Sequence, residues 1–275
     1  MNGLFLAPNY PPEMQDFTRG LAEVGARVFG IGDGHVGGLS PKVQRSLAGY
    51  RSAKLFDRDH TLAAARSFGV RFDRVECLWE PFVELAADLR QVFGIPGMSL
   101  STATGFRDKE LMKQRVEAAG LRVPHHARAS TADEVRAAAT RIGYPVIYKP
   151  IAGAGSADTY RVNDAAELEN VLAKTGHVRE VSVEEFVEGD EYTFDTVCIE
   201  GRPAFYNVAW YRPRPLIARS NEWVSPQVVV LRNPDQPELR DGIELGLGVL
   251  RALGMGTGFT HMEWYRKASG EVVFG

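Results

Sequence analysis

The first hundred residues alternate short apolar runs with amphipathic segments, and that order permits few folds. A buried strand followed by a helical stripe must cross over to a parallel neighbour, so the pattern predicts a parallel sheet covered by helices. Residues 4–7 read as a buried strand, Pro11-Pro12 opens a helix through Val24, and residues 26–31 form a second strand. Residues 54–56 give a third strand, Asp59 caps a helix to Phe68, and residues 74–78 give a fourth. Phe82, Leu85, Ala86, Leu89 and Phe93 then recur at helical spacing. Gly94-Ile95-Pro96-Gly97 and the polar stretch 99–104 read as a linker. We expect a small doubly wound α/β domain over residues 1–98.

Beyond residue 99 the order changes to α+β. A charged amphipathic helix over 108–119 ends at Gly120, a residue that suits the first position past a helix. An extended segment at 123–129, a helix at 131–142 and a strand at 145–150 follow. A helix capped by Asp164 and a strand at 181–186 come next. Alternating segments at 191–199, 203–210, 227–231 and 258–265 read as antiparallel strands, interrupted by a helix at 237–253. A chain of 275 residues buries about three quarters of its unfolded surface, so it needs no covalent staple. Only Cys77 and Cys198 are present, which excludes a disulfide framework and a cysteine zinc site, and a reducing cytoplasmic setting is expected. Lys+Arg 32 against Asp+Glu 35 gives a net charge of -3, which removes the electrostatic case for a nucleic-acid binder. No apolar run reaches the length of a membrane span, and the first residues lack a signal-peptide pattern, so neither membrane insertion nor secretion is expected.

Four segments carry chemistry. Lys109 opens a helix and Lys149 ends an apolar strand before Pro150; a strongly hydrated ammonium there needs an anion or an exposed exit. Gly153, Ala154, Gly155 and Ser156 follow within a few residues, and consecutive backbone N–H groups in such a small-residue turn can cradle phosphate oxygens. The stretch 184–191 holds five carboxylates in eight residues. Gly189 marks a bend that would set Glu184 and Glu191 on one side of a cleft, where they can accept from an amino group and a ribose hydroxyl. In Thr260-His261-Met262-Glu263-Trp264, alternation puts His261 and Glu263 on one face, and a carboxylate between Met262 and Trp264 ligates a cation or pairs with a base. Taken singly, each segment also reads as a solvated lysine, a hairpin or an acidic turn. Gly32-Asp33-Gly34-His35-Val36-Gly37 matches G-x-G-x-x-G, but it follows the second strand and Gly38, Ser40 and Pro41 delay any helix, so we read a plain loop.

In order and spacing these four segments resemble the ATP-grasp superfamily, which includes D-alanine ligases, biotin carboxylases and the large chain of carbamoyl-phosphate synthetases. The resemblance covers residues 99–275, with a lid at about 123–182, and likens residues 1–98 to the α/β domain that precedes it. It implies that Lys109 and Lys149 contact the α- and β-phosphates of ATP, and that Gly153, Ala154, Gly155 and Ser156 form a loop over the γ-phosphate. It further implies that Glu184 binds the adenine amino group, the backbone of Glu185 and Val187 the ring edge, Glu191 the ribose and Glu263 a Mg2+ ion. The family places a second acidic ligand about a dozen residues after the first, at or just past Gly275. The fold expected from the sequence is therefore C-terminally incomplete, and its metal site lacks one ligand. Glu271 falls at a hairpin turn and is expected at the far end from Glu263. The implied reaction activates a carboxylate as an acylphosphate for attack by an amine, with Arg212 and Arg214 as partners for a substrate carboxylate. A bicarbonate-using relative of biotin carboxylase or carbamoyl-phosphate synthetase, and a nucleotide-binding module without catalysis, stay open as alternatives. The expected partners are small-molecule carboxylates and amines, with neither nucleic acid nor membrane.

Overall fold

The computed structural model describes residues 1–151, 158–219 and 221–275. The chain divides into two compact units, Met1–Thr104 and Gly105–Gly275.

The first unit is built from β1 (Asn2–Leu6), α1 (Met14–Glu23), β2 (Arg27–Gly32), α2 (Pro41–Ser46), β3 (Leu47–Ser52), α3 (Arg58–Arg66), β4 (Arg74–Glu76) and α4 (Val83–Phe93). Its four strands are parallel in the order β3-β2-β1-β4. The apolar runs behave as the alternation demands. Leu4, Leu6, Ile31 and Val75 are buried, and the helices cover them with Leu62, Ala65, Ala86 and Leu89. The third strand lies at Leu47–Ser52 rather than at residues 54–56. As an edge strand it stays largely uncovered, so its sequence lacks an apolar run, whereas the Leu55 N–H donates to Asp33 Oδ1 at 2.7 Å outside any ladder. Asp57, not Asp59, caps α3, accepting from the His60 N–H at 3.0 Å. The glycine segment at 32–37 is not a plain loop throughout: Gly32 ends β2 and residues Val36–Gly38 make one 3-10 turn, with no α-helix before Pro41, and the Tyr50 hydroxyl donates to the Gly34 carbonyl at 2.7 Å. Residues read as a linker form α5 (Leu100–Arg107), where the Ser99 hydroxyl accepts from the Thr102 N–H at 3.2 Å.

The second unit holds two antiparallel sheets. After α6 (Lys109–Ala118) come β5 (His126–Ala129), α7 (Ala132–Ile142), β6 (Val146–Pro150), β7 (Tyr160–Val162), α8 (Ala165–Lys174) and β8 (Val181–Glu185). These strands pair in the order β5-β8-β6-β7, and α7 and α8 bury Val135, Ala139, Leu168 and Val171 against Val146, Tyr148 and Val183. The caps are those that the sequence announces. Thr131 and Glu134 form a reciprocal capping box on α7, and Asp164 accepts from the Glu167 N–H at 2.8 Å. Then follow β9 (Asp190–Ile199), β10 (Arg202–Arg212), α9 (Pro215–Arg219), β11 (Gln227–Val230), α10 (Arg240–Ala252), β12 (Gly258–Arg266) and β13 (Val272–Phe274). Their order is β11-β10-β9-β12-β13.

Register fixes what each face of this second sheet carries. Tyr192 stands opposite both Trp210 and Trp264 and stacks on their rings, while Phe194 stands opposite Met262. These residues form the face packed on α10, whose Gly242 and Gly246 lie against Trp264 and Phe194. The alternate residues form the other face in successive rungs: Asn207, Asp195 and His261; Ala209, Thr193 and Glu263; then Glu191 and Tyr265.

Candidate functional site

Three lysines and one carboxylate form the centre of the second unit. Asp108 caps α6, accepting from the Glu110 and Leu111 N–H groups at 2.9 and 3.0 Å, and so sets Lys109 at the first helical position. Lys149 lies near the end of β6, diagonal to Glu184 on β8, and its Nζ is 2.9 Å from Glu184 Oε2. Lys113, one turn along α6 from Lys109, brings its Nζ to 2.5 Å from Glu184 Oε1. Glu184 is buried, which opposes its charge, yet Lys149 and Lys113 overcome that cost and hold the carboxyl well below the usual range. Lys109 is affected in the opposite sense. Burial, then repulsion from Lys149, Arg107 and Lys113, pushes its ammonium down to about 8.

Around this centre the remaining candidates divide. The Glu185 side chain takes Arg122 Nη2 on both oxygens, at 2.9 and 2.8 Å, and the His125 N–H at 3.1 Å. Its own N–H donates to the His125 carbonyl at 2.8 Å. Glu191 is buried and accepts from Arg214 Nε at 2.9 Å, and Arg214 Nη1 reaches the Val187 carbonyl at 2.8 Å. Burial and then the nearby Glu263 raise the Glu191 carboxyl to about 7, against the pull of Arg214 and Lys149. Between Glu184 and Glu191 the chain turns at Gly189, where a Cβ would stand 2.4 Å from the Arg266 carbonyl oxygen, so only glycine fits that crossing. Arg212 does not join this group; it stacks over Trp210 at 4.3 Å, on the face opposite Glu263.

Glu263 shares its face with His261, as alternation requires. His261 Nδ1 lies 2.5 Å from Asp195 Oδ1, and its Nε2 lies 3.9 Å from Glu263 Oε1. The hydrogen bond with Asp195 and the nearby Glu263 carboxylate raise the imidazole to about 10, despite some burial. The Glu263 carboxyl is held below its ordinary value: burial raises it, and His261, Lys149 and Lys109 more than compensate. Asn207 stands opposite Asp195, and its buried Oδ1 has no hydrogen-bond partner among the described residues. Glu271 lies away from Glu263, paired with Lys267 at 2.7 Å and Arg122 at 3.1 Å, while the Gly275 N–H donates to the Glu263 carbonyl at 2.9 Å. Among the described residues no three His, Cys, Asp or Glu side chains converge on a cation position. A magnesium ion carried mainly by phosphate oxygens would need only one or two protein carboxylates, and Glu263 is the residue here that could supply one. Gly153, Ala154, Gly155 and Ser156 lie outside the described residues.

The sequence profile of the carbamoyl-phosphate synthase L chain, ATP binding domain, matches residues 108–191, the stretch that runs from the α6 cap to Glu191 and includes Lys109, Lys149 and Glu184. An L-arginine-specific L-amino acid ligase of Bacillus subtilis is 26% identical over 211 residues, covering 74% of this chain and 50% of the relative. The L-amino acid ligase of Bacillus licheniformis superposes with a TM-score of 0.80 at 19% identity, over 99% of this chain and 65% of that one. The domain matched over residues 108–191 is an ATP-grasp domain, and both of these relatives are ATP-grasp proteins. A further ATP-grasp fold, the N5-carboxyaminoimidazole synthetase of Staphylococcus aureus crystallised with ADP, matches with a TM-score of 0.77 at 13% identity, over 100% of this chain and 69% of that one. The chain thus spans half the length of the Bacillus subtilis relative and about two thirds of these two structures. Within the ATP-grasp frame, Lys113, Glu110 and Asp195 are members of the cluster that sequence spacing did not single out. Charges on an amphipathic helix ordinarily face water, and only the spacing of Glu110, Lys113 and Val116 on one face of α6 hints that these two point inward.

Proposed function

We propose that this chain binds ATP with magnesium and serves an ATP-dependent carboxylate–amine ligase. The observation that carries the reading is the convergence of Lys109, Lys113 and Lys149 around one buried carboxylate, with Lys109 driven down to about 8 by burial and its neighbours. A polyanion between Lys109 and Lys149 relieves that repulsion, so the site favours phosphates. In this reading Lys109 and Lys149 hold the α- and β-phosphates, and Gly153, Ala154, Gly155 and Ser156 cover the γ-phosphate. Glu184 accepts from the adenine amino group, Glu185 and Val187 line the ring edge, Glu191 meets the ribose, and Glu263 orients the ion. Bound magnesium would neutralise charge on the β- and γ-oxygens.

In the chemistry we assign, a substrate carboxylate oxygen attacks the γ-phosphorus and ADP leaves. An amine nitrogen then attacks the acyl carbon, phosphate departs, and the amine loses a proton. Glu263 and the lysines fix the donor, which is what phosphoryl transfer chiefly requires. The names of the relatives support an amino acid as the class of carboxylate. The acceptors Asp195 and Asn207, one and two strands across from His261 on the Glu263 face, suit an ammonium.

The test is calorimetric titration with ATP, followed by ADP release across a panel of amino acids offered singly and in pairs. We expect ATP to bind and ADP release to need both a carboxylate and an amine. Lys149→Ala should cost about 2 kcal/mol of ATP affinity, as loss of a charge-assisted contact does. Undetectable ATP binding, or an unaltered affinity in that variant, would refute the assignment.

A further inference from the structure

Glu184 has two cationic partners of unequal accessibility. Lys113 is sealed in, with a side chain 2% exposed, whereas Lys149 at the strand end is 18% exposed. Each takes a different oxygen of Glu184, Lys113 at 2.5 Å from Oε1 and Lys149 at 2.9 Å from Oε2. Lys113 is itself anchored from behind. Glu110 Oε1 lies 3.8 Å from its Nζ and also accepts from the Ser182 hydroxyl, while Glu110 Oε2 is 2.7 Å from His126 Nδ1. Both carboxylates and Lys113 are buried, so none of the three can exchange its partners for water.

A buried carboxylate with one cation cannot release it without a large penalty, because an unpaired charge would remain in a poorly polarisable interior. A carboxylate with two can release the outer one. Resting on the nucleotide reading, we infer that Lys113 is a positioning residue: by keeping Glu184 paired, it allows Lys149 to pass from Glu184 to a phosphate oxygen. Without Lys113, Glu184 retains Lys149 and the phosphates lose a cation, although neither α6 nor β8 has moved. A carboxylate has lone pairs to spare, so Glu184 can accept from the adenine amino group whether it is paired with one lysine or two, and the adenosine end of the ligand does not depend on that transfer.

A mutant cycle on the full chain tests this. Lys113→Met should weaken ATP and ADP by about tenfold or more, and adenosine by less than about threefold. In a Glu184→Gln background, where no carboxylate is left to retain Lys149, the same change should cost ATP less than about threefold. With wild-type binding intact, equal losses in both backgrounds, or an equal loss for adenosine, would overturn the role of Lys113 and leave the nucleotide reading standing. Absence of ATP binding by the wild type would instead remove that reading itself. Should Lys113→Met fail to fold, lysine acetylation of the wild type decides the matter. ATP and ADP should slow modification of Lys149 and adenosine should not; equal protection by adenosine would overturn the inference.

Discussion

Lys109 carries a charge that the second unit keeps at a cost. Burial, Lys149, Arg107 and Lys113 together push its ammonium down to about 8, from an ordinary value near 10.4. Below about pH 8 the residue is charged in both folded and unfolded chains, and the whole penalty is felt. Between about pH 8 and 10 the folded chain sheds this proton first, so the unfolded state binds more protons and stability at this site rises with pH. A bound polyphosphate acts in the opposite sense, because it favours the ammonium. ATP binding at about pH 8.5 should therefore take up about half a proton or more at Lys109. Calorimetry in buffers of different ionisation enthalpy measures that uptake directly. Lys109→Arg, whose guanidinium stays charged throughout, should abolish it. Equal uptake by wild type and variant would mean that the proton enters elsewhere.

At the scale of elements, α10 decides how closely the second sheet can be covered. A Cβ on Gly246 would stand 2.3 Å from the ring of Phe194, which is buried, and one on Gly242 would stand equally close to Trp264. Alanine at 246 would gain about 1 kcal/mol of helix propensity, but overpacking a closed core costs about 1–3 kcal/mol. With a ring that has no space to retreat, overpacking prevails. Gly246→Ala should lower the urea midpoint by the equivalent of about 1–2 kcal/mol, and an unchanged midpoint would show that the helix can lift. The elements also show where a sequence is legible. Strands buried on both faces, such as β1 and β2, announce themselves through apolar runs, and helices through caps such as Thr131 and Asp164. The edge strand β3 and the three-residue β7 carry too little apolar surface to do so. Lys149 and Glu184 could be singled out because each lies near a strand end beside a turn signal. Lys113 could not, since its inward direction is set by a partner 71 residues away.

At the scale of the whole chain, every side chain assigned to the nucleotide comes from the second unit: Lys109 on α6, Lys149 on β6, Glu184 on β8, Glu191 on β9 and Glu263 on β12. They are drawn from both of its sheets, so no single sheet can assemble the site. The first unit has its own core, in which Leu4, Leu6, Ile31, Val75 and Leu89 are buried, and its buried Arg90 is satisfied internally by the Val75 carbonyl at 2.8 Å, the Met98 carbonyl at 3.2 Å and Glu76 at 3.1 Å. The two stretches should therefore differ in how they respond to ligand. A ligand that binds only the folded form stabilises it by mass action, by about 2.7 kcal/mol at a hundred times its dissociation constant. Expressed separately, residues 105–275 should melt several degrees higher with saturating ATP, whereas residues 1–104 should fold cooperatively and melt at the same temperature with or without it. A folded 105–275 fragment that ATP leaves unchanged would show that the site needs groups from the first hundred residues. A shift in the 1–104 fragment would place a nucleotide contact there.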